Sequence, residues 1–505
     1  MNLPFSLGFT SWGFFAALAL LVALSRLLPR RALPTLLLGA SFLYYLALAP
    51  AALPILAAAT VVVYFCGRLT TKEKGAAAGF GVAAALLLLA VTKYLPALLG
   101  SKFSIITPLG ISYFVFSAIS YLCDLRKGKF PPERDFGRLA LYLFFFAKIT
   151  SGPIEKAGDF FASLDELEKG DKPFENRQGF LLILSGCIRK LAISDLLSGA
   201  VAAVFDAPAG QSGLAVFGAT LCYTLQIYGD FAGYTDLARG SALLLGLPMS
   251  ENFIHPYAAT SIKDFWRRWH ISLSSFLRDY VYIPLGGNRK GKARKQLNVL
   301  IVFVLSGIWH GVGFTFLLWG LLHGLLQIIE DFLPWREKLK ARFGERSALY
   351  LVPSVAVTFL LVAFCWMPFR AVDMATYGAL LKAFAHPGSL SGAWRTLGLS
   401  LLDLLTVAAA FFASDRVKKA ALPAKIPAKA PEKAPIPKRP TAARTLPMRK
   451  PAEPAVSAPA PREEKRGGSL TPAFPGCLLL AAAALLLLFL AAKSGSGGSF
   501  IYIGF

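Results

Sequence analysis

The sequence predicts an all-α polytopic membrane protein, and three observations carry that prediction. Hydrophobic residues make up 55% of the 505 and charged residues only 16%, where a soluble domain is nearer a quarter charged. Mean hydropathy is +0.55. Apolar runs of about 20 residues, the length that crosses a bilayer as a helix, recur from end to end. The short alternating strands of a transmembrane β-barrel do not appear in the pattern.

The first five runs fall at 7–25, 33–49, 51–67, 76–95 and 104–122. Basic clusters follow the first (Arg26, Arg30, Arg31), the third (Arg68, Lys72, Lys74) and the fifth (Arg126, Lys127, Lys129). Those ends are therefore expected in the cytoplasm, with Lys93 and Lys102 as mild exceptions. No basic region or A-x-A site precedes or ends the first run, so a retained helix with its N-terminus outside is expected rather than a signal peptide. The net charge of +24 sits in the loops between apolar runs. That placement reads as membrane topology and excludes nucleic acid as the partner. Six scattered cysteines without a CxxC pair indicate neither a disulfide framework nor a zinc site.

Further runs fall at 137–151, 179–206, 214–247, 297–328, 349–369, 373–385 and 398–414. The run 297–328 has basic segments at both ends, and a single crossing should not begin and end on the positive side. A broken or re-entrant pair of helices, interrupted near Gly311-Val-Gly313, resolves the conflict. His310 stands at that break. Thirteen residues past Leu297, it lies roughly 20 Å along the helix, deep in a hydrocarbon core about 30 Å thick.

Residues 1–414 read as the membrane core. Residues 415–471, with eleven prolines in 416–466 and an excess of Lys and Arg, read as a disordered cytoplasmic linker. A further transmembrane helix at 472–493 carries a tail, 494–505, to the outer face.

Five histidines occur in the chain, and two sit in Trp-rich signatures: Phe265-Trp-Arg-Arg-Trp-His270 and Gly307-Ile-Trp-His310-Gly. An ionisable side chain in lipid is a functional-site candidate. A buried neutral imidazole takes a proton from a hydroxyl, and His310 at a Gly-flanked break is the first candidate for that work. The bland alternative is a packed histidine bonded to a carbonyl. His270 belongs to an amphipathic stretch, 263–272, whose indoles suit an interfacial belt. Arg267 and Arg268 there suit headgroups or a phosphorylated ligand, and His270 is the candidate second catalytic or donor-positioning group. Trp266 and Trp309 join these arginines as candidate donor-binding residues. No carboxylate lies at a ligand-like offset from either histidine, so no metal is expected. His323 reads as structural, and His255 and His386 as incidental. Gln226, Asp230 and Asp236 form a polar patch in an apolar run. They either face a channel or hold packed helices together.

Several segments together resemble the membrane-bound O-acyltransferase (MBOAT) family, in its bacterial alginate O-acetyltransferase and D-alanyl transferase-like branch. They are Pro108-Leu-Gly-Ile-Ser-Tyr-Phe114, Ser151-Gly-Pro-Ile154, Gln226-Ile-Tyr-Gly-Asp-Phe-Ala-Gly-Tyr-Thr-Asp236, Phe265 to Ser272, Leu277 to Arg289, and Trp309-His-Gly311. The resemblance implies a ring of tilted and broken helices around a central channel. His310 matches the family's essential histidine and His270 its frequent second histidine. Gly229 replaces a bulky aromatic, which would widen the channel. The tail Phe500-Ile-Tyr502-Ile-Gly-Phe505 is similar to an F-x-Y-x-x-F motif of polysaccharide-acylating relatives, implying Tyr502 as a transient acyl carrier.

The resemblance thus implies acyl transfer across a bacterial inner membrane, with acetyl-CoA or another acyl thioester as donor and no bound cofactor. A periplasmic acyltransferase partner would pass the acyl group to a polysaccharide or peptidoglycan. D-alanyl transfer, a polar-solute transporter or flippase, and a structural scaffold are the competing classes. One helix break rather than two counts against the transporter.

Overall fold

The computed structural model describes residues 8–71, 75–96, 105–150, 152–170 and 173–421. Among them every regular element is helical. The expected linker 415–471 from residue 422 onward, the expected helix 472–493, and the tail 494–505 with Phe500, Tyr502 and Phe505 lie outside the described residues.

Helices α1 (Trp12–Leu27), α2 (Leu33–Leu48), α3 (Leu53–Leu69) and α4 (Ala76–Leu89) match the first four apolar runs. A π-helical turn, Ala90–Tyr94, continues α4. The stretches Arg30–Leu48, Pro50–Leu69, Ala76–Tyr94 and Ala348–Arg370 are each long and apolar enough to cross a membrane. With two further bent pairs of that kind, the chain is a multi-pass membrane protein.

The fifth expected span is displaced. In place of 104–122, α5 is Ile111–Arg126 and is buried almost all round. Gly110 starts it in the left-handed region, φ 72°, against the Ile149 carbonyl, where a Cβ has no room. Hydropathy alone cannot distinguish a helix in lipid from one wrapped in protein. The run 137–151 breaks at Phe145 into α6 (Phe136–Phe144) and α7 (Phe146–Ile149). Next come α8 (Ala157–Lys169) and α9 (Asn176–Arg189), the latter leading through a π-helical stretch into α10 (Leu196–Phe205).

Helix α11 (Gly213–Leu244) is the central pillar, buried along most of its 32 residues. It packs on α9 through glycines: a Cβ at Gly186 would stand 2.6 Å from the Gly233 carbonyl, and one at Gly240 2.6 Å from that of Gly179. Small residues that let backbones approach are the usual membrane helix seam. Gly229 belongs to this seam, with the Arg189 carbonyl 2.9 Å from where its Cβ would be. The expectation that it widens a channel is therefore wrong. It brings two helices together.

The rest of the chain is α12 (Ile262–Arg268), α13 (Ile271–Leu277), α14 (Lys292–His310), α15 (Phe314–Phe332), α16 (Trp335–Phe343), α17 (Ala348–Arg370), α18 (Met374–Ala383), α19 (Leu390–Leu397) and α20 (Leu401–Ala421). Helix α20 takes in the first seven residues of the expected linker, 415–421. Buried charge holds it there. Arg189 on α9 pairs with Asp236 on α11 at 2.6 Å and with Asp415 at 3.0 Å, while Lys418 pairs with Glu251 at 2.5 Å. Charges this deep are tolerated only when paired. His255, read as incidental, joins the network through Asp415 at 3.1 Å.

The buried apolar side chains form two cores. One gathers α1–α8 with α13, Trp309 and one side of α9 and α11; the other gathers the rest of α9 and α11 with α10, α12, α14, α15 and α17–α20. Trp309 and its neighbours lie along the seam between them.

Candidate active site

The hairpin required by the charge pattern is present. Helix α14 ends at His310 and α15 begins at Phe314. The two pack antiparallel because small residues face backbone: a Cβ at Gly307 would run into the Phe316 carbonyl, and one at Gly320 into that of Phe303. Both open ends meet at the basic face, where Asp331 of α15 accepts from Lys263 and, at 2.8 Å, from Lys295 of α14. His310 is thus the tip of a closed hairpin. Its depth follows from its neighbours. The Trp309 ring stacks on Phe116 at 5.3 Å, and Phe116 lies ten residues up α5 from Arg126, roughly 15 Å from the basic face.

His310 is buried in an aromatic cage, with ring centroids 4.6 Å from Trp309, 5.0 Å from Trp319 and 5.0 Å from Phe369. His270 is fully buried too, 4.7 Å from Phe231 and 6.3 Å from Trp309. The Trp309 indole therefore stands against both imidazoles.

The backbone of His270 is unusual. It caps α13 in the left-handed region, φ 44°, a conformation that costs a non-glycine residue about 1–2 kcal/mol. Asn252 holds it there. Its carbonyl accepts from the Ile271 N–H at 3.1 Å, and its side-chain Oδ1 accepts from the Ser272 N–H at 3.1 Å. The stretch 263–272 is consequently no membrane-surface helix. It is two short helices broken at a core histidine, and Trp269, expected in an interfacial belt, is buried.

Between α12, α13 and the hairpin lies a cavity of about 390 Å³. Lys263, Arg267, Arg278 and Lys295 line its mouth, together with Asp331, which binds the two lysines, so the net charge there is positive; Trp266, Leu273, Val299, Val302 and Phe303 form its walls. Ser306, one helical turn before His310, lines it as well. The Ser306 hydroxyl is buried and has no hydrogen-bond partner among the described residues. Trp266 is fixed by donating its indole N–H to His323 Nδ1 at 3.2 Å. An indole nitrogen only donates, so His323 carries its own proton on Nε2. His323 thereby supports a cavity wall.

Of the four expected donor-binding residues, two line this cavity. Arg268 turns aside to Asp264 at 3.0 Å, and Trp309 stands between the histidines. Neither lines the cavity. The polar patch on α11 does not line it either. Asp230 is bound to Lys190 at 2.8 Å and Asp236 to Arg189, so both hold helices together. The Gln226 carboxamide oxygen is buried without a partner among the described residues.

The pattern of the MBOAT, membrane-bound O-acyltransferase family matches residues 109–372, just over half of the chain and the whole of this site. The chain belongs to that family. Among curated MBOAT-like relatives, the probable alginate O-acetylase of Pseudomonas putida is 37% identical over 283 residues, 55% of this chain and 56% of that protein. The peptidoglycan O-acetyltransferase of Helicobacter pylori is 31% identical over 315 residues, 57% of this chain and 58% of that protein. The teichoic acid D-alanyltransferase of Bacillus subtilis is 28% identical over 281 residues, 52% of this chain and 68% of that protein. The chain spans little more than half the length of the first two. The first two carry names of O-acetyl transfer and the third a name of D-alanyl transfer.

Proposed function

We propose that this protein is a membrane O-acyltransferase that takes an acyl group, most simply acetyl, from a cytoplasmic thioester such as acetyl-CoA and delivers it outward. Its place is then a bacterial inner membrane. The observation that carries the reading is the cavity. Its mouth is cationic, its walls are apolar, and its lining includes Ser306, one turn from a buried imidazole. A donor with an anionic head and a long neutral arm fits that gradient. The arm occupies the walls while the head stays at Arg267 and Arg278.

His310 takes the proton of the acceptor hydroxyl as its oxygen attacks the thioester carbon. The new C–O bond forms, the C–S bond breaks, and the departing thiolate takes the proton back from His310. The Ser306 hydroxyl is placed to donate to a carbonyl of the donor arm. His270, behind Trp309, serves as the second group that orients the site.

Acetyl rather than D-alanyl is favoured because the relatives at 31% identity and above carry acetyl-transfer names. The acceptor is a polysaccharide or peptidoglycan hydroxyl, reached through a periplasmic acyltransferase partner. Tyr502 is the candidate relay: a tyrosine phenol, ordinarily titrating at about 10, needs a base such as His310.

The test is to give the full chain, in lipid nanodiscs, acetyl-CoA labelled in the acetyl group and to locate the label by mass spectrometry. Label on Tyr502 in the parent chain and none in His310→Ala supports the whole route. Full acyl transfer by His310→Ala at normal expression would overturn the catalytic assignment. An unlabelled Tyr502 together with full activity of Tyr502→Phe would remove the relay and leave direct transfer.

A further inference from the structure

The end of α14 is closed in an unusual way. A helix leaves its last four carbonyls without internal partners, and in lipid each unsatisfied group costs several kcal/mol. Many helices solve this with a left-handed glycine. Gly311 does not: its backbone is extended, φ −178°, and its N–H reaches only the Gly307 carbonyl at 3.4 Å.

The missing partners come from another helix. Lys93 Nζ donates to the Trp309 carbonyl at 2.6 Å, and the Tyr94 hydroxyl donates to the Ile308 carbonyl at 3.0 Å. Two consecutive side chains thus hold the two consecutive carbonyls that precede His310. Both side chains lie on the π-helical turn Ala90–Tyr94, and such turns are frequent at functional sites. The Lys93 ammonium also sits 5.7 Å from the Trp309 ring centroid. A cation at the negative end of a helix dipole is the favourable placement.

We infer that Lys93 and Tyr94 are positioning residues: a clip from α4 that fixes the broken end of α14 and so the placement of the His310 imidazole. The inference rests on the reading of His310 as the base. Nothing in the clip lines the donor cavity, so its loss acts on turnover and leaves donor binding alone.

The experiment measures kcat and the donor KM for acetyl-CoA in nanodiscs, with the full chain and four variants. Lys93→Met removes a charged hydrogen bond and should lower kcat about 10- to 100-fold, with KM changed less than about twofold. Tyr94→Phe removes a neutral one and should lower kcat about 2- to 10-fold. Lys93→Arg keeps the cation and should recover most of the turnover. Wild-type kcat in both Lys93→Met and Tyr94→Phe, with His310→Ala inactive, overturns the clip and leaves the base in place. A Lys93→Arg as slow as Lys93→Met overturns it too. Should Lys93→Met fail to assemble, Tyr94→Phe, which removes one oxygen, decides alone. Wild-type turnover in His310→Ala removes the base itself, and the clip with it.

Discussion

The two buried histidines stand at two helix breaks that are built in opposite ways. His270 begins a helix, with a backbone forced into the left-handed region and held by Asn252 through Ile271 and Ser272. His310 ends a helix whose final carbonyls are held by Lys93 and Tyr94. At the first break the chain nearby supplies the restraint, 18 to 20 residues away in sequence. At the second the restraint comes from more than 200 residues away. Trp309 couples the two. The lesson is that a break in a membrane helix needs its freed backbone satisfied, and the partner that satisfies it sets how the functional side chain is held.

Removing each imidazole is the strongest way to break that comparison. His310→Ala should lower kcat for acyl transfer about 100- to 10,000-fold, the range for a lost general base. His270→Ala should cost less, about 10-fold, since orientation is all it withdraws; the figure is that of a typical net hydrogen bond or packing loss. Rates measured side by side in nanodiscs check this. Equal losses would place both histidines on the reacting atoms.

The supports of the breaks come next. Asn252→Ala leaves the N–H of Ser272 buried and unmatched, which costs about 1–3 kcal/mol. Gly320→Ala drives a methyl into the Phe303 carbonyl and opens the hairpin, with a cost of about 1–3 kcal/mol for overpacking. Thermal unfolding in detergent should show both losses. Asn252→Ala should act on the His270 side alone, so combining it with His270→Ala adds little to the fall in activity. Gly320→Ala combined with His310→Ala should still lower the melting temperature.

Much of this is legible in the sequence. Conflicting charge at both ends of 297–328 demanded a hairpin, and the Gly311-Val-Gly313 step placed its tip beside His310. The arrangement of the helices around it was not legible in the same way. Apolar runs give length but not surroundings, which is why α5 was displaced and why the 263–272 stretch, with Trp269, looked interfacial. Lys93 did carry a signal, as a cation inside an apolar run and an exception to the charge rule. Its meaning depended on a carbonyl 216 residues away, a separation that no local pattern reports. Asn252 carried none, because a loop asparagine has many ordinary uses. Asp230 and Asp236 were visible as costly groups, yet only the positions of Lys190 and Arg189 separate a strut from a channel lining.

The smallest expected effect concerns the arginine pair that the sequence treats as equivalent. Arg267 lines the mouth of the cavity and is exposed, whereas Arg268 turns back to Asp264 on its own helix. An anionic donor head meets Arg267 in high dielectric, where one charge pair contributes about 0.2–1 kcal/mol. Arg267→Ala should therefore raise the donor KM about 2- to 5-fold with kcat unchanged, and the rise should shrink in high salt. Arg268→Ala should leave KM within about 1.5-fold, because its guanidinium is held by Asp264 in a half-buried i,i+4 pair and such pairs on a helix are worth only a few tenths of a kcal/mol. Michaelis curves at two ionic strengths separate the two. A matching, salt-sensitive rise in Arg268→Ala would mean that the donor head lies across α12 rather than in the cavity mouth, and the approach to His310 would have to be redrawn from that side.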